Sequence, residues 1–398
     1  MTPDSTRARA LFLHRFILRS ALSAGGIFAW VIIFRLFFIE TGNLEYALAG
    51  VGILYALSHA ITFILTPLTG AALRFGVRRA LVFGTILQGT SFTILSFIFL
   101  GDAASREYVF FMIATFVILH GLARALYWIP YRTEEAQGIA RSPAMLVTEM
   151  VIALIPALAG YLGTTLDHGI YVLLIGVALS ILLSATFLFR IPESHEPYVW
   201  SYGQTLAQLL ARRNHSAVGL FIFDGMQGAA LLFLWPLAAF LILGESFQAL
   251  GAVLTATLCI AFLGRWIARR VMRRLRVSQS PYVIASIVFS SWLFRLAAGT
   301  PLQLLAVDVY YHSGNATRRF SIDAFAHEQI ADGGHFVDEF TAVKEMSLAL
   351  GRILICALFC MLVLCTSEAL AFAAAILVAA ISGAASVFLA QKAAREAF

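Results

Sequence analysis

The sequence predicts an all-α polytopic membrane protein, with twelve transmembrane helices in two pseudo-symmetric six-helix bundles. Three observations predict it. Hydrophobic residues make up 60% of the 398 positions and charged ones 13%, about half the charged share of an ordinary soluble chain. Apolar runs recur from end to end, each long enough to cross a hydrocarbon layer of about 30 Å. An eight-residue pattern also returns after nearly half the chain, as VTEMVIAL at 147–154 and VKEMSLAL at 343–350. A repeat at that distance points to a duplicated six-helix unit.

The start, MTPDSTRARALFLHRFILRS, is basic and leads into an apolar run ending near Ile39. That run is too long for a signal peptide and lacks a small-residue cleavage site, so it reads as a first span, 19–39, with a basic flank. Further spans fall at 47–73, 80–100, 108–130, 144–166 and 169–190, and then at 217–243, 248–268, 281–298, 341–365 and 369–390. The polar segment between the two groups carries a short amphipathic stretch, QTLAQLLARR. The division is therefore an N-terminal bundle over 1–190, a linker over 191–216 and a C-terminal bundle over 217–398.

One stretch needs its own argument. AVDVYYHSGNATRRFSIDAFAHEQ (306–329) is the most polar part of the second half. A helix ending at His312 would be too short to cross, whereas one from Pro301 to His327 reaches about 40 Å at 1.5 Å per residue. On that helix Asp308, His312, Asn315, Arg319 and Asp323 share one face. Residues 301–327 therefore read as the tenth span.

Lysine and arginine set the orientation. With both termini inside, basic loops such as RFGVRR (74–79) and RRVMRRLR (269–276) fall on the inner side, and the outer loops keep only Arg106 among several acids. The net charge of +6 follows from this bias and calls for no nucleic acid. Cys259, Cys356, Cys360 and Cys365 all lie in apolar segments and read as small buried hydrophobes. His312, His327, Asp332 and His335 match no metal-ligand spacing. No phosphate loop, nucleophile elbow or dinucleotide fingerprint is present, so neither an enzyme nor a cofactor is expected.

Duplicated six-helix halves, cytoplasmic ends, a cytoplasmic linker and a basic loop after spans 2 and 8 together resemble the major facilitator superfamily. GAALRFGVRR (70–79) is similar to that family's loop signature at Gly76, Arg78 and Arg79, without its acidic residue. In span 5, IPALAG (155–160) keeps Pro156 and Gly160 of an element found in drug/proton antiporters, although Pro-x-x-x-Gly also serves close helix packing. The resemblance implies that spans 1, 4, 7 and 10 line a central cavity.

Polar residues inside spans are costly, and they normally face water, a partner or a substrate. His120, Asp224, Gln227, Asp308, His312 and Asn315 are therefore the candidates for substrate binding or coupling. Arg124, Glu149, Arg319 and Glu345 are the candidates for gate ion pairs, either within a half or crossed between halves. Trp30, Trp128, Trp235 and Tyr127 are placed to line a pocket or to pack, and Arg35 and Arg295 to snorkel from outer span ends. The expected function is secondary active transport of a small polar or charged solute by alternating access, coupled to protons. Expected partners are that solute, protons and the lipid bilayer of the cell membrane, around a monomer. The alternatives are a non-transporting sensor or assembly subunit on the same fold, or a lipid flippase.

Overall fold

The computed structural model describes residues 3–100, 105–136, 144–195, 198–275, 280–314 and 337–396. Among them every regular element is helical. In chain order these are α1 (Pro3–Thr41), α2 (Leu44–Ala72), α3 (Val77–Ser96), α4 (Arg106–Ala136), α5 (Ala144–Thr165), α6 (Gly169–Leu188) and the short α7 (Tyr202–Leu210). After them come α8 (His215–Ala229), α9 (Trp235–Ile242), α10 (Phe247–Leu275), α11 (Pro281–Leu293), α12 (301–314), α13 (Val337–Cys365) and α14 (Glu368–Glu396). Among the described residues ten helices are long and apolar enough to cross a membrane, and Pro281–Ala297 is a shorter apolar one. The expected tenth span is helical over 301–314; its continuation, with Asn315, Arg319 and Asp323, lies outside the described residues, as do His327, Asp332 and His335.

Within the first group of helices, α3 packs on α4 and α6, and α1 on α6; within the second, α8 packs on α13 and α14, and α11 on α14. The most extensive pairings between the groups are α2 with α13 and α5 with α10, and α4 also meets α13 and α1 meets α9. Small residues let these backbones meet, as expected where lipid supplies no hydrophobic drive between helices. A Cβ on Gly160 would strike the backbone of Phe247, and one on Gly251 the carbonyl of Pro156. Ala157 N–H donates to Thr255 Oγ1 at 2.9 Å beside them. Close packing is thus what Pro156 and Gly160 do here.

The first helix departs from expectation. It starts at Pro3, so the basic flank is part of the helix and is docked. Arg7 pairs with Glu134 at 2.6 Å, Arg19 with Glu149 at 2.6 Å, and Arg15 donates to the Tyr131 hydroxyl. His14 is fully buried: its Nδ1 bonds the Ser184 carbonyl at 3.1 Å and its Nε2 the Tyr127 hydroxyl at 3.2 Å.

The basic loop after α2 also finds an acid. Gly76 turns the chain at φ +132, where a Cβ would collide with Glu193. Glu193 accepts from the Arg78 backbone N–H at 3.0 Å and pairs with Arg78 at 3.2 Å and Arg79 at 3.5 Å. A carboxylate from just after α6 therefore faces the arginines of a loop that has no acid of its own. Arg74 holds the Tyr198 carbonyl, and Val199 N–H donates to Glu339 of α13 at 2.7 Å. The linker is tied to both groups of helices.

Candidate functional site

Two clusters of polar side chains are buried among the spans. The first surrounds α12. Asp308 is 4% exposed and accepts from Arg295 Nη2 at 2.6 Å and from the Trp235 indole at 2.9 Å. Arg295 sits just past α11, and its side chain has no exposure at all. Its guanidinium lies over the rings of Trp292, Tyr311 and Trp235 at 4.2, 4.4 and 5.0 Å. The snorkelling expected of Arg295 is therefore wrong: an aspartate one helix away compensates the charge, and three aromatic faces replace water. Trp235 reaches Asp308 because the helix winds as a π-turn over Ala230–Leu234, immediately before Trp235 and Pro236. Proline has no N–H to give and crowds the preceding turn, which accounts for the wider turn there. Trp235 and Trp292 also line a small apolar cavity with Ile376.

The second cluster lies where α2, α4 and α13 meet. Gly121 of α4 lets Ser58 and Ile61 of α2 approach, and Thr62 Oγ1 donates to the Gly121 carbonyl at 3.0 Å. Gly52 of α2 is in contact with Cys360 of α13. These contacts bring His59, His120, Arg124 and Arg352 together. Gln88 Nε2 bonds His120 Nδ1 at 2.9 Å. His59 is 1% exposed, and its Nδ1 has no hydrogen-bond partner. Arg124 and Arg352 are half-buried, and Arg124 Nε and Arg352 Nη1 are buried without a partner. Glu345 is 7% exposed and, with Arg352, lies within electrostatic reach of Arg124. Among the described residues neither arginine forms an ion pair. An aromatic layer adjoins the group: Tyr55 stacks on Phe233 at 4.2 Å and meets His59 at 4.6 Å, while Trp30 touches Tyr55 at 5.0 Å.

The expected candidates fall unevenly on these clusters. Asp308 is central to the first and His120 to the second, and Trp30 and Trp235 border them. His312 is half-buried and meets the Tyr311 ring at 5.2 Å. Gln227 is buried against Gly383 of α14, with Nε2 unpaired, so it points into the second group of helices. Asp224 is half-buried on α8. Of the gate residues, Glu149 is taken by Arg19 of α1, and Arg124 pairs with neither Glu149 nor Glu345 within 4.0 Å. Pairs involving Arg319 lie outside the described residues, and so does Asn315. His59, Gln88 and Arg352 were not singled out from sequence. An Arg midway along α13 and a His within α2 were visible as intramembrane polar residues, but attention to spans 1, 4, 7 and 10 passed over spans 2 and 11.

No family model matches this sequence, and no curated protein matches it. Solved structures do. A bacterial homologue of the iron transporter ferroportin, in an outward-facing state, covers 98% of this chain and 99% of its own, with TM-score 0.64 and 14% identity. A D-xylose-proton symporter covers 96% and 97%, with TM-score 0.62 and 15% identity. The ferroportin homologue soaked with iron gives TM-score 0.61. The chain has the major facilitator fold. It is an integral membrane protein built around the α2–α13 and α5–α10 contacts, and the second cluster spans the first of these. Among the described residues of this facilitator fold, no three His, Cys, Asp or Glu side chains converge as metal ligands would.

Proposed function

We propose that this protein is a secondary active transporter that moves a small polar or charged solute by alternating access. In this reading the bundles over 1–190 and 217–398 rock about the linker, with both termini on the cytoplasmic side of the cell membrane. One observation carries it. Ionisable side chains from both groups of helices face each other midway along α4 and α13, beneath an aromatic layer that also joins the groups (Tyr55 on Phe233). Charged groups at that depth are expensive to keep, and in membrane proteins they mark pathways. Sites between repeats at mid-depth are where such folds bind their cargo. The fold likeness to a proton symporter and to an iron transporter homologue fits the transporter class.

Proton coupling is assigned to the first cluster. Protonating Asp308 would remove the charge that holds Arg295 and orients the Trp235 indole, and so would free α12 from the turn after α11. Asp308 is thus the coupling residue in this account, with His312 one turn away. The test uses proteoliposomes. Asp308→Asn is expected to abolish accumulation driven by a pH gradient while leaving counter-exchange of loaded solute measurable. Gradient-driven accumulation at the wild-type level would remove Asp308 from the coupling role.

A further inference from the structure

We propose that His59, Arg124 and Arg352 form a binding site for a small carboxylate- or phosphate-bearing anion at the junction of α2, α4 and α13. The inference deepens the transporter reading and rests on it, since it names the class of solute carried. Three observations support it. First, the donors are unused: His59 Nδ1, Arg124 Nε and Arg352 Nη1 are all buried without a hydrogen-bond partner. A native protein rarely leaves three buried polar atoms of one neighbourhood unsatisfied, and such groups call for a ligand or ion. Second, like charges are held close: among the described residues Arg124 lies within electrostatic reach of Arg352 and of Glu345, and neither arginine forms an ion pair, so an anion between the two guanidinium groups would offset their repulsion. Third, the donors come from both sides of a contact between the two groups of helices, Arg124 from α4 and Arg352 from α13. An anion held by both would join the halves as it binds, which is the coupling that alternating access needs.

The chemistry of the donors selects the ligand class. Guanidinium groups present paired N–H donors that match the oxygen spacing of carboxylates and phosphates. His59 adds a third donor when its proton is on Nδ1. Tyr55 and Trp30 provide an apolar face beside the charge, suited to the carbon skeleton of an organic anion. Glu345 stands in for the anion when the site is empty: it biases Arg124 without reaching ion-pair distance.

The purified full-length protein in phosphatidylcholine nanodiscs provides the test, titrated calorimetrically with sodium lactate, sodium succinate and sodium phosphate. Sodium chloride at matched ionic strength and xylose serve as comparators. At least one of the three anions is expected to bind saturably where chloride and xylose do not. Arg352→Gln and Arg124→Gln are each expected to weaken that binding about tenfold or more, and Arg352→Lys, which keeps the charge, to weaken it less. Arg106→Gln, an exposed partner of Glu40, is expected to bind as wild type. No binding by any of the three anions, or equal binding by wild type and Arg352→Gln, overturns the proposal. Should phosphatidylglycerol nanodiscs stabilise the protein while soluble anions do not, the cluster belongs to a lipid headgroup and the solute assignment is wrong. Anion binding without flux in proteoliposomes keeps this site and overturns the transporter reading. Xylose flux with no anion binding does the reverse.

Discussion

The cluster around Asp308 and the cluster around Arg124 contain the same kinds of side chain and treat them in opposite ways. At Asp308 the buried arginine has a carboxylate at 2.6 Å, an indole shares that carboxylate, and three rings cover the guanidinium. At Arg124, among the described residues, two arginines lie within reach of one carboxylate with no ion pair formed, and Nδ1 of the neighbouring His59 has no hydrogen-bond partner. In the first the charge is paired within the second group of helices, although Arg295 Nη1 and Trp292 Nε1 keep no hydrogen-bond partner. In the second the arginines form no ion pair among the described residues, and they come from both groups of helices. A completed buried pair resists change and can act as a latch, whereas an incomplete cluster is stabilised by whatever completes it.

That contrast can be broken experimentally, and the largest effect belongs to the completed cluster. Asp308→Leu strands Arg295 in a buried site, and removing one member of a buried pair costs about 3–5 kcal/mol. Thermal unfolding in detergent is expected to show that loss. The double variant Arg295→Met/Asp308→Leu is expected to recover most of it, because an apolar pair needs no compensation. No recovery in the double variant would mean that the aromatic cage, and not the ion pair, holds α12 to the turn after α11.

The smallest effect is expected at a partly exposed ion pair. Arg19–Glu149 is also 2.6 Å long, but its side chains keep 41% and 23% exposure. Water and salt screen such a pair, so Glu149→Gln is expected to cost less than about 1 kcal/mol. A loss as large as that of Asp308→Leu would show that the docking of α1 depends on this pair, and that depth alone does not rank the interactions.

Much of this was readable from the chain. Apolar runs placed the spans because length and hydropathy alone decide what can cross a bilayer, and ten long helices meet that standard. Asp308 was readable because its stripe keeps helical spacing. Its partner was not, since whether Arg295 snorkels or turns inward depends on Trp292, Tyr311 and Trp235, contributed by three separate segments. The basic N-terminal flank looked like a solvated tail because its acceptors, Glu134 and Glu149, are more than a hundred residues away. Glu193 likewise supplies the acid that the RFGVRR loop lacks, from a position no local motif includes. Arg352 shows the limit most clearly: composition marks it as an intramembrane charge, but only the packing of α13 on α2 and α4 brings it to Arg124.

If Arg352 belongs to an anion site, it has no structural role in the protein without anion. The melting temperature of ligand-free Arg352→Gln, measured beside wild type at low ionic strength, decides this. Removing one of two neighbouring cations that form no ion pair relieves their repulsion, so the variant is expected to melt at or above the wild-type temperature. A fall comparable to that of Asp308→Leu would contradict the claim and make Arg352 a partner in the fold.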